Sequence, residues 1–177
     1  IGEGRRRFQL PIRSWALYPL LLFVAMFAWA ASSPPGSSPD EHYHLISAWC
    51  SLGSRDGLCA PGSAPDTRVV SLQLLETSCF RFHPESAGIC PDYGDRTIET
   101  NFGNFVNYYP NGFFTIMGMF ASPSIETSVL WMRTFNAALY AGGLAALLFL
   151  VGPGRRGNYM LGSLVSLVPL GMFIVPS

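Results

Sequence analysis

Charged residues are scarce in this sequence. Only 12% of the 177 residues are charged, whereas 49% are hydrophobic and 14% are aromatic, and the formal net charge is zero. A chain with so little charge and so much apolar surface is typical of a protein that spends much of its length in lipid. The clustered excess of basic residues by which proteins bind nucleic acids is also absent, so no nucleic-acid partner is expected.

The sequence also lacks the paired C-x-x-C spacing of a typical zinc site. Its four cysteines, Cys50, Cys59, Cys79 and Cys90, all lie between the first and second apolar segments. If this segment lies outside the cytoplasm, the oxidising environment there permits disulfides. Three pairings are possible. We favour Cys50–Cys59 with Cys79–Cys90, which closes two short loops rich in Gly, Pro and Ser, and we retain a zinc site as the alternative.

Three long apolar runs, 15–32, 128–151 and 159–177, predict three transmembrane helices. The segment 152–158 between the second and third runs is rich in glycine and has room only for a tight turn. We therefore expect an antiparallel hairpin of membrane helices there. The first run resembles a cleaved signal peptide in its basic start and small residues, but we favour a retained helix.

Arginines predict the orientation of these helices. Several lie in residues 1–14, and Arg155 and Arg156 lie in the 152–158 turn. The positive-inside rule places both segments in the cytoplasm. Residues 33–127 are then an extracytoplasmic segment, and their length and cysteines predict a folded subdomain rather than a connecting loop.

The stretch Ser38-Pro39-Asp40-Glu41-His42-Tyr43-His44 opens this subdomain just beyond the first membrane helix. Residues 38–49 are predicted to form a helix with Ser38 as its N-cap and Pro39 as its first residue. Glu41 would complete a capping box with Ser38. Leu45, Ile46 and Trp49 supply its apolar face; this structural role is the alternative to any chemical role for Glu41.

Asp40 is not needed by that capping box, and a helix start favours its ionised form. His44 follows one helical turn later, on the same face. Asp40, Glu41 and His44 are therefore candidates for orienting a hydroxyl group or holding a divalent cation. A hydrogen-bonding structural histidine is the alternative for His44, and His42 is a weaker candidate.

Residues 102–120 carry aromatic and aliphatic side chains at helical spacing, with asparagines between them. We expect an amphipathic helix at the outer membrane interface, divided near Pro110, with packing against the subdomain's own core as the alternative. Residues 69–75 are predicted as a short strand or an irregular segment, and residues 92–99 as a solvated loop.

Arg133 lies near the outer end of the second membrane helix, where a guanidinium is costly unless it meets a polar partner. Because its geometry matches both groups, we expect Arg133 to bind a carboxylate or a lipid phosphate, or else to reach the headgroups.

Three motifs together resemble a known family. They are Pro-Pro-Gly-x-x-Pro-Asp-Glu-x-x-His in residues 34–44, Tyr-Tyr-Pro-x-x-Phe-Phe in residues 108–114, and the arginine-bearing segment 132–139. Together they resemble the bacterial DUF2142 group of predicted membrane proteins and, more distantly, the N-terminal part of GT-C glycosyltransferases. The resemblance implies a helical membrane protein in the bacterial cytoplasmic membrane, and we expect the sequence to be a piece of a longer chain.

For function, the resemblance implies transfer of a sugar from a polyprenyl-phosphate donor to a glycan or lipid acceptor outside the membrane. Asp40, with Glu41 beside it, would act as the base or bind a divalent cation. Arg133 would bind the phosphate, and His44 and Tyr109 would contact substrate. The alternative is a non-catalytic membrane subunit whose outer domain binds a partner or a glycan.

Overall fold

The computed structural model describes residues 12–83, 85, 88–168 and 171. In chain order its helices are α1 (Ile12–Ser32), α2 (Glu41–Cys50), α3 (Leu72–Leu75), α4 (Gly112–Gly118), α5 (Ile125–Leu150) and α6 (Pro153–Ser163), followed by a 3-10 turn, Leu164–Leu167. The strands are β1 (Cys59–Pro61), β2 (Arg68–Ser71) and β3 (Thr97–Thr100). The described part of the chain is therefore mainly helical, with one small sheet.

The two longest helices, α1 and α5, pack against each other. Both are long and apolar enough to cross a membrane, and they match the predicted spans 15–32 and 128–151. Their shared core contains Leu22 and Met26 of α1 with Ala137, Leu144 and Leu148 of α5. Many other apolar side chains on these helices are exposed, including Leu21 at 58% and Leu139 at 59%. Such an apolar exterior is suited to lipid.

A third membrane span is not confirmed. Among the described residues only α1 and α5 have the required length and hydropathy. The predicted turn at 152–158 differs from the structure, because α6 already begins at Pro153. Proline suits this first helical position, where its missing N–H leaves no bond unmade. Residues 169, 170 and 172–177 of the predicted span, and most of the predicted cytoplasmic segment 1–14, lie outside the described residues.

The segment between α1 and α5, which the sequence predicts to lie outside the membrane and which we call the outer subdomain, is built around α2. Leu45, Ile46 and Trp49 are buried as predicted. They join a core formed with the sheet, with α3 and α4, and with the first turns of α5. Since Val129 and Met132 of α5 belong to that core, the membrane helix and the outer subdomain are continuous.

A three-stranded antiparallel sheet, in the order β1-β2-β3, covers one side of this core. The possible strand at 69–75 is confirmed in part as β2, which turns directly into α3. The prediction of a solvated loop over 92–99 is wrong at its C-terminal end, because β3 begins at Thr97. The carboxylate of Glu99 on β3 accepts hydrogen bonds from Ser63 and Thr67, which lower the pKa of that carboxyl.

Both predicted disulfides are confirmed. Cys50 and Cys59 are joined with their Cα atoms 5.3 Å apart, and Cys79 and Cys90 with theirs 5.7 Å apart. The first bond ties the end of α2 to the sheet, and the second closes the segment that follows α3. The alternative of a zinc site at these four thiols is therefore wrong.

The predicted interfacial helix over 102–120 is wrong for its first half. Residues 101–111 are irregular, and α4 covers only Gly112–Gly118. The side chain of Asn104 bonds the backbone N–H and carbonyl of Tyr109 and the amide of Asn111. These bonds satisfy backbone groups that a helix would have paired internally. Phe102 and Phe105 pack against the subdomain core, which is the alternative prediction for this segment.

Candidate functional site

A turn between α1 and α2 holds the candidate site. Helix α2 begins at Glu41, later than predicted, and its N-cap is Asp40 rather than Ser38. Asp40 has a φ of 55°, a left-handed conformation that is uncommon for residues other than glycine. One bond of the predicted capping box remains, from the backbone N–H of Ser38 to Glu41 Oε2 at 3.3 Å. The expectation that Ser38 caps the helix and Pro39 starts it is therefore wrong.

Glu41 is turned inward and pairs with Arg133. Arg133 Nε lies 3.0 Å from Glu41 Oε1, and Nη2 lies 2.8 Å from Oε2, which is the two-pronged geometry that guanidinium and carboxylate favour. The two side chains are 4% and 5% exposed. This buried pair explains why α2 starts where it does, because its first residue must face the membrane helix.

Arg133 also binds the turn itself. Its Nη1 donates to the carbonyls of Ala30 and Ser33, and its Nη2 to the carbonyl of Pro34 and the hydroxyl of Ser37. Of the two ligands predicted for Arg133, the structure shows the carboxylate. Every guanidinium nitrogen is engaged by the protein, so phosphate binding by Arg133 remains a prediction that would require some of these bonds to be exchanged.

Asp40 is placed differently from its neighbour. Its side chain is exposed and makes no capping hydrogen bond to α2. It is not among the residues that line the cavity beside Glu41 and Arg133. Asp40 thus presents a solvent-exposed carboxylate next to the buried Glu41–Arg133 pair.

That cavity, of about 270 Å³, lies between α2, α4 and α5. Most of its wall is apolar, formed by Leu45, Ala48, Phe113, Met117, Val129 and Met132. Glu41, Arg133 and His44 supply its polar part. We call this space the α2–α4–α5 cavity.

The rings of His44 and His42 each stack on a different phenylalanine. The His44 ring stacks on Phe114 with the centroids 5.8 Å apart, and His42 stacks on Phe102 at 4.9 Å. Burial lowers the pKa of His44, while the nearby carboxylates of Asp40 and Glu41 partly oppose that change. Burial also lowers the pKa of His42, and the charge of Arg81 adds to it. Both rings are therefore predominantly neutral near pH 7.

Tyr109 lies at the outer edge of this aromatic group. Its side chain is 55% exposed, and its ring packs edge-on to Tyr43 with centroids 6.2 Å apart. Tyr109 does not line the α2–α4–α5 cavity. Contact between Tyr109 and a substrate therefore stays a prediction, and it concerns the outer surface rather than the cavity.

Sequence reasoning missed Arg81, which grips the same turn from the other side. Its Nη2 donates to the carbonyls of Gly36 and Ser38, at 3.3 and 2.8 Å. Arg81 lies within the Cys79–Cys90 loop, so this disulfide holds an arginine against the turn. The sequence signal for this contact is only an isolated arginine near a cysteine. Because the partners of Arg81 are backbone carbonyls, no sequence pattern predicts them.

The hypothesis of a metal held jointly by Asp40, Glu41 and His44 finds no support. Within the described ranges, no three His, Cys, Asp or Glu side chains are grouped closely enough to hold a metal ion. Glu41 is paired with Arg133, and Asp40 does not line the cavity that His44 lines.

A second concave surface, of about 520 Å³, lies on the outer subdomain. The Cys50–Cys59 disulfide and the β1–β2 connection form it, with Arg68 at its edge. We call it the β1–β2 groove. Its lining of backbone, serine and proline resembles no catalytic arrangement.

Comparison with known proteins gives one match. Residues 21–177 match the family model described as "Predicted membrane protein (DUF2142)". No match was found among curated proteins or among solved structures. The matched range covers α1 from its second half, the whole outer subdomain and α5.

Proposed function

Because the chain belongs to the DUF2142 family of predicted membrane proteins, we propose that it is part of a membrane glycosyltransferase. The proposed reaction transfers a sugar from a polyprenyl-phosphate donor to an acceptor hydroxyl at the outer face of the membrane. Two membrane-spanning helices and a disulfide-bonded outer subdomain are consistent with work on a lipid-borne substrate.

The observation that carries the proposal is the state of Asp40. Its carboxylate is exposed and makes no capping hydrogen bond, and its backbone is held in a left-handed conformation. Uncommon backbone conformations persist when the surroundings impose them, and they are frequent at functional sites. Here the surroundings are the bonds from Arg133 and Arg81 to the preceding turn.

In the proposed step the carboxylate of Asp40 accepts the proton of the acceptor hydroxyl, while the oxygen of that hydroxyl forms a bond to the anomeric carbon of the sugar. The bond from that carbon to the donor phosphate breaks, and the phosphate leaves with the electron pair. A hydroxyl is a poor nucleophile, and a positioned base contributes about 10²- to 10⁴-fold to such reactions. Glu41 and Arg133 would position Asp40 without touching the reacting atoms.

The test is sugar transfer by the native full-length protein with Asp40→Asn. This change keeps the shape of the side chain and removes its basicity. We expect transfer to fall by about 100-fold or more. Asp56→Asn is the matched control, because Asp56 is also exposed on the outer subdomain and should leave transfer unchanged. Equal activity of the Asp40 variant and the parent would exclude Asp40 as the base.

A second candidate function is a non-catalytic membrane subunit whose outer domain binds a partner or a glycan. It is favoured by the exposure of Asp40 away from the α2–α4–α5 cavity and by the presence of the β1–β2 groove. Glycan binding that is lost on Arg68→Gln, together with unchanged transfer by Asp40→Asn, would favour this function over catalysis.

A further inference from the structure

The α2–α4–α5 cavity sits where the outer subdomain meets the membrane helix. Val129 and Met132, both in the first turns of α5, form part of its wall. At a rise of about 1.5 Å per residue they lie no more than ~12 Å from the start of that helix. Phe113 of α4 lines the cavity and is 47% exposed, so this part of the cavity wall reaches the protein surface.

The charges around the cavity cancel. Glu41 and Arg133 form an ion pair and neutralise each other, so neither side chain requires a charged group of a ligand. The rest of the wall is hydrocarbon apart from His44. An uncharged, apolar group is therefore the part of a ligand that fits inside. The volume is about nine times the ~30 Å³ that one water molecule occupies in the liquid, enough for a short stretch of a hydrocarbon chain.

His44 supplies a polar atom for such a ligand. Its Nδ1 is buried and has no hydrogen-bond partner. A buried N–H without an acceptor is more costly and rarer than an unused acceptor, so the proton of the neutral ring belongs on Nε2. Nε2 is not among the buried unpartnered atoms and makes no bond to another described residue. Nε2–H is thus a donor without a partner in the described part of the protein, on a side chain that lines the cavity.

We infer that the α2–α4–α5 cavity binds the chain of a lipid phosphate next to its head, with Nε2–H of His44 donating to a head-group oxygen. The apolar wall holds the chain, the first turns of α5 place the cavity near one end of a candidate membrane span, and His44 selects a chain that ends in an oxygen acceptor. That the bound lipid is a prenyl phosphate rather than a phospholipid of the surrounding bilayer rests on the proposed function.

The test uses a photoreactive prenyl phosphate with the reactive group near the head, added to the full-length protein in lipid nanodiscs. Cross-linked peptides are mapped by mass spectrometry. We expect labelling in residues 112–118 and 129–133, which line the cavity. His44→Phe keeps an aromatic ring but removes the donor, and should lower labelling at least about fivefold. His83→Phe is the matched control, because His83 is exposed and does not line the cavity.

Ala48→Leu provides an independent test, since it fills the cavity and leaves His44 in place. It should also lower labelling, with both disulfides intact by non-reducing peptide mapping as the check on folding. Labelling outside the cavity, or labelling unchanged in both variants, would overturn the inference. So would equal labelling of the cavity by a photoreactive phosphatidylglycerol, because the site would then hold only surrounding bilayer lipid. Cavity labelling without sugar transfer would retain the binding site and reject the proposed enzyme, whereas transfer without cavity labelling would do the reverse.

Discussion

The guanidinium of Arg133 and the carboxylate of Glu41 lie 2.8 Å apart, although 92 residues separate them in the sequence. One belongs to a membrane helix and the other opens the first helix of the outer subdomain. Breaking a buried pair of this kind leaves an uncompensated charge and typically costs about 3–5 kcal/mol.

We therefore expect Arg133→Gln to lower the thermal unfolding temperature of the detergent-purified protein by about 10 °C. Arg133→Lys should rescue little, because an ammonium group cannot contact both carboxylate oxygens and four backbone or hydroxyl oxygens together. Arg155→Gln is the control, since Arg155 is exposed. An Arg133→Gln variant as stable as the Arg155→Gln variant would refute a stabilising role for the pair.

The close approach at Gly36 gives a second prediction. Gly36 has a φ of 79°, and a Cβ atom there would collide with the backbone carbonyl of Thr77. Gly53 has a similar φ of 82° but open space around it. Gly36→Ala should destabilise the protein by about 1–3 kcal/mol more than Gly53→Ala, because only the first adds a steric clash to the cost of the left-handed backbone. Denaturation midpoints of the two variants measure the difference, and equal midpoints would contradict the predicted contact between the turn and Thr77.

The disulfides give a third prediction. Non-reducing peptide mapping of the native protein should find Cys50 linked to Cys59 and Cys79 linked to Cys90. Replacing either pair by serine should cost about 2–4 kcal/mol, because each bond restricts the unfolded chain. The variant that lacks the Cys79–Cys90 disulfide should also reduce sugar transfer in the proposed enzyme, because the loop that carries Arg81 is no longer closed. Peptides that link Cys50 to Cys79 or Cys90 would show that this arrangement is wrong.

A pH dependence of stability follows from His44. Burial lowers the pKa of this ring in the folded protein, so below the ordinary histidine pKa of about 6.5 the unfolded chain takes up a proton that the folded chain does not. Folding stability should therefore be complete above about pH 6.5 and should fall as the pH drops toward the lowered pKa. Unfolding temperatures measured between pH 7.5 and pH 5 should show this loss.

His44→Gln should flatten the curve, although His42, whose pKa is also lowered by burial, will retain part of the effect. His83→Gln should leave the curve unchanged, because His83 is exposed. A curve that is equally steep in the His44 and His83 variants would contradict the assignment to His44.

The orientation is tested by a membrane-impermeant thiol reagent. Asp56→Cys, on the outer subdomain, should react in intact cells, whereas Arg155→Cys, in α6 next to the inner end of α5, should react only after permeabilisation. The positive-inside rule is the basis of this prediction. The reverse pattern would invert the topology without affecting the fold.

The features that the sequence could predict are those set by neighbouring residues. The apolar runs of α1 and α5 identify themselves by length, and the disulfide pairing follows from the short loops between Cys50 and Cys59 and between Cys79 and Cys90. The buried stripe of Leu45, Ile46 and Trp49 follows from helical spacing.

The errors arise where distant residues compete with local preference. Ser38 has the chemistry of an N-cap, but Arg133 draws Glu41 inward and moves the helix start. Residues 102–111 have helical spacing, but Asn104 supplies the hydrogen bonds that a helix would make, and Asn107 adopts a φ of 60°. The sequence shows the asparagines, but it does not show that the side chain of one of them bonds the backbone rather than facing water.

The contacts of Arg133 and Arg156 have a mechanical consequence. At one end of the helix pair, Arg133 on α5 binds the carbonyl of Ala30 at the end of α1. At the other end, Arg156 lies 4.2 Å above the ring of Trp15 while donating to the carbonyl of Leu148. Splaying or sliding of α1 against α5 would therefore have to break at least one of these contacts. The contact at Ala30 lies directly before the turn that carries Asp40, so the packing of the two helices and the position of that turn are linked through Arg133.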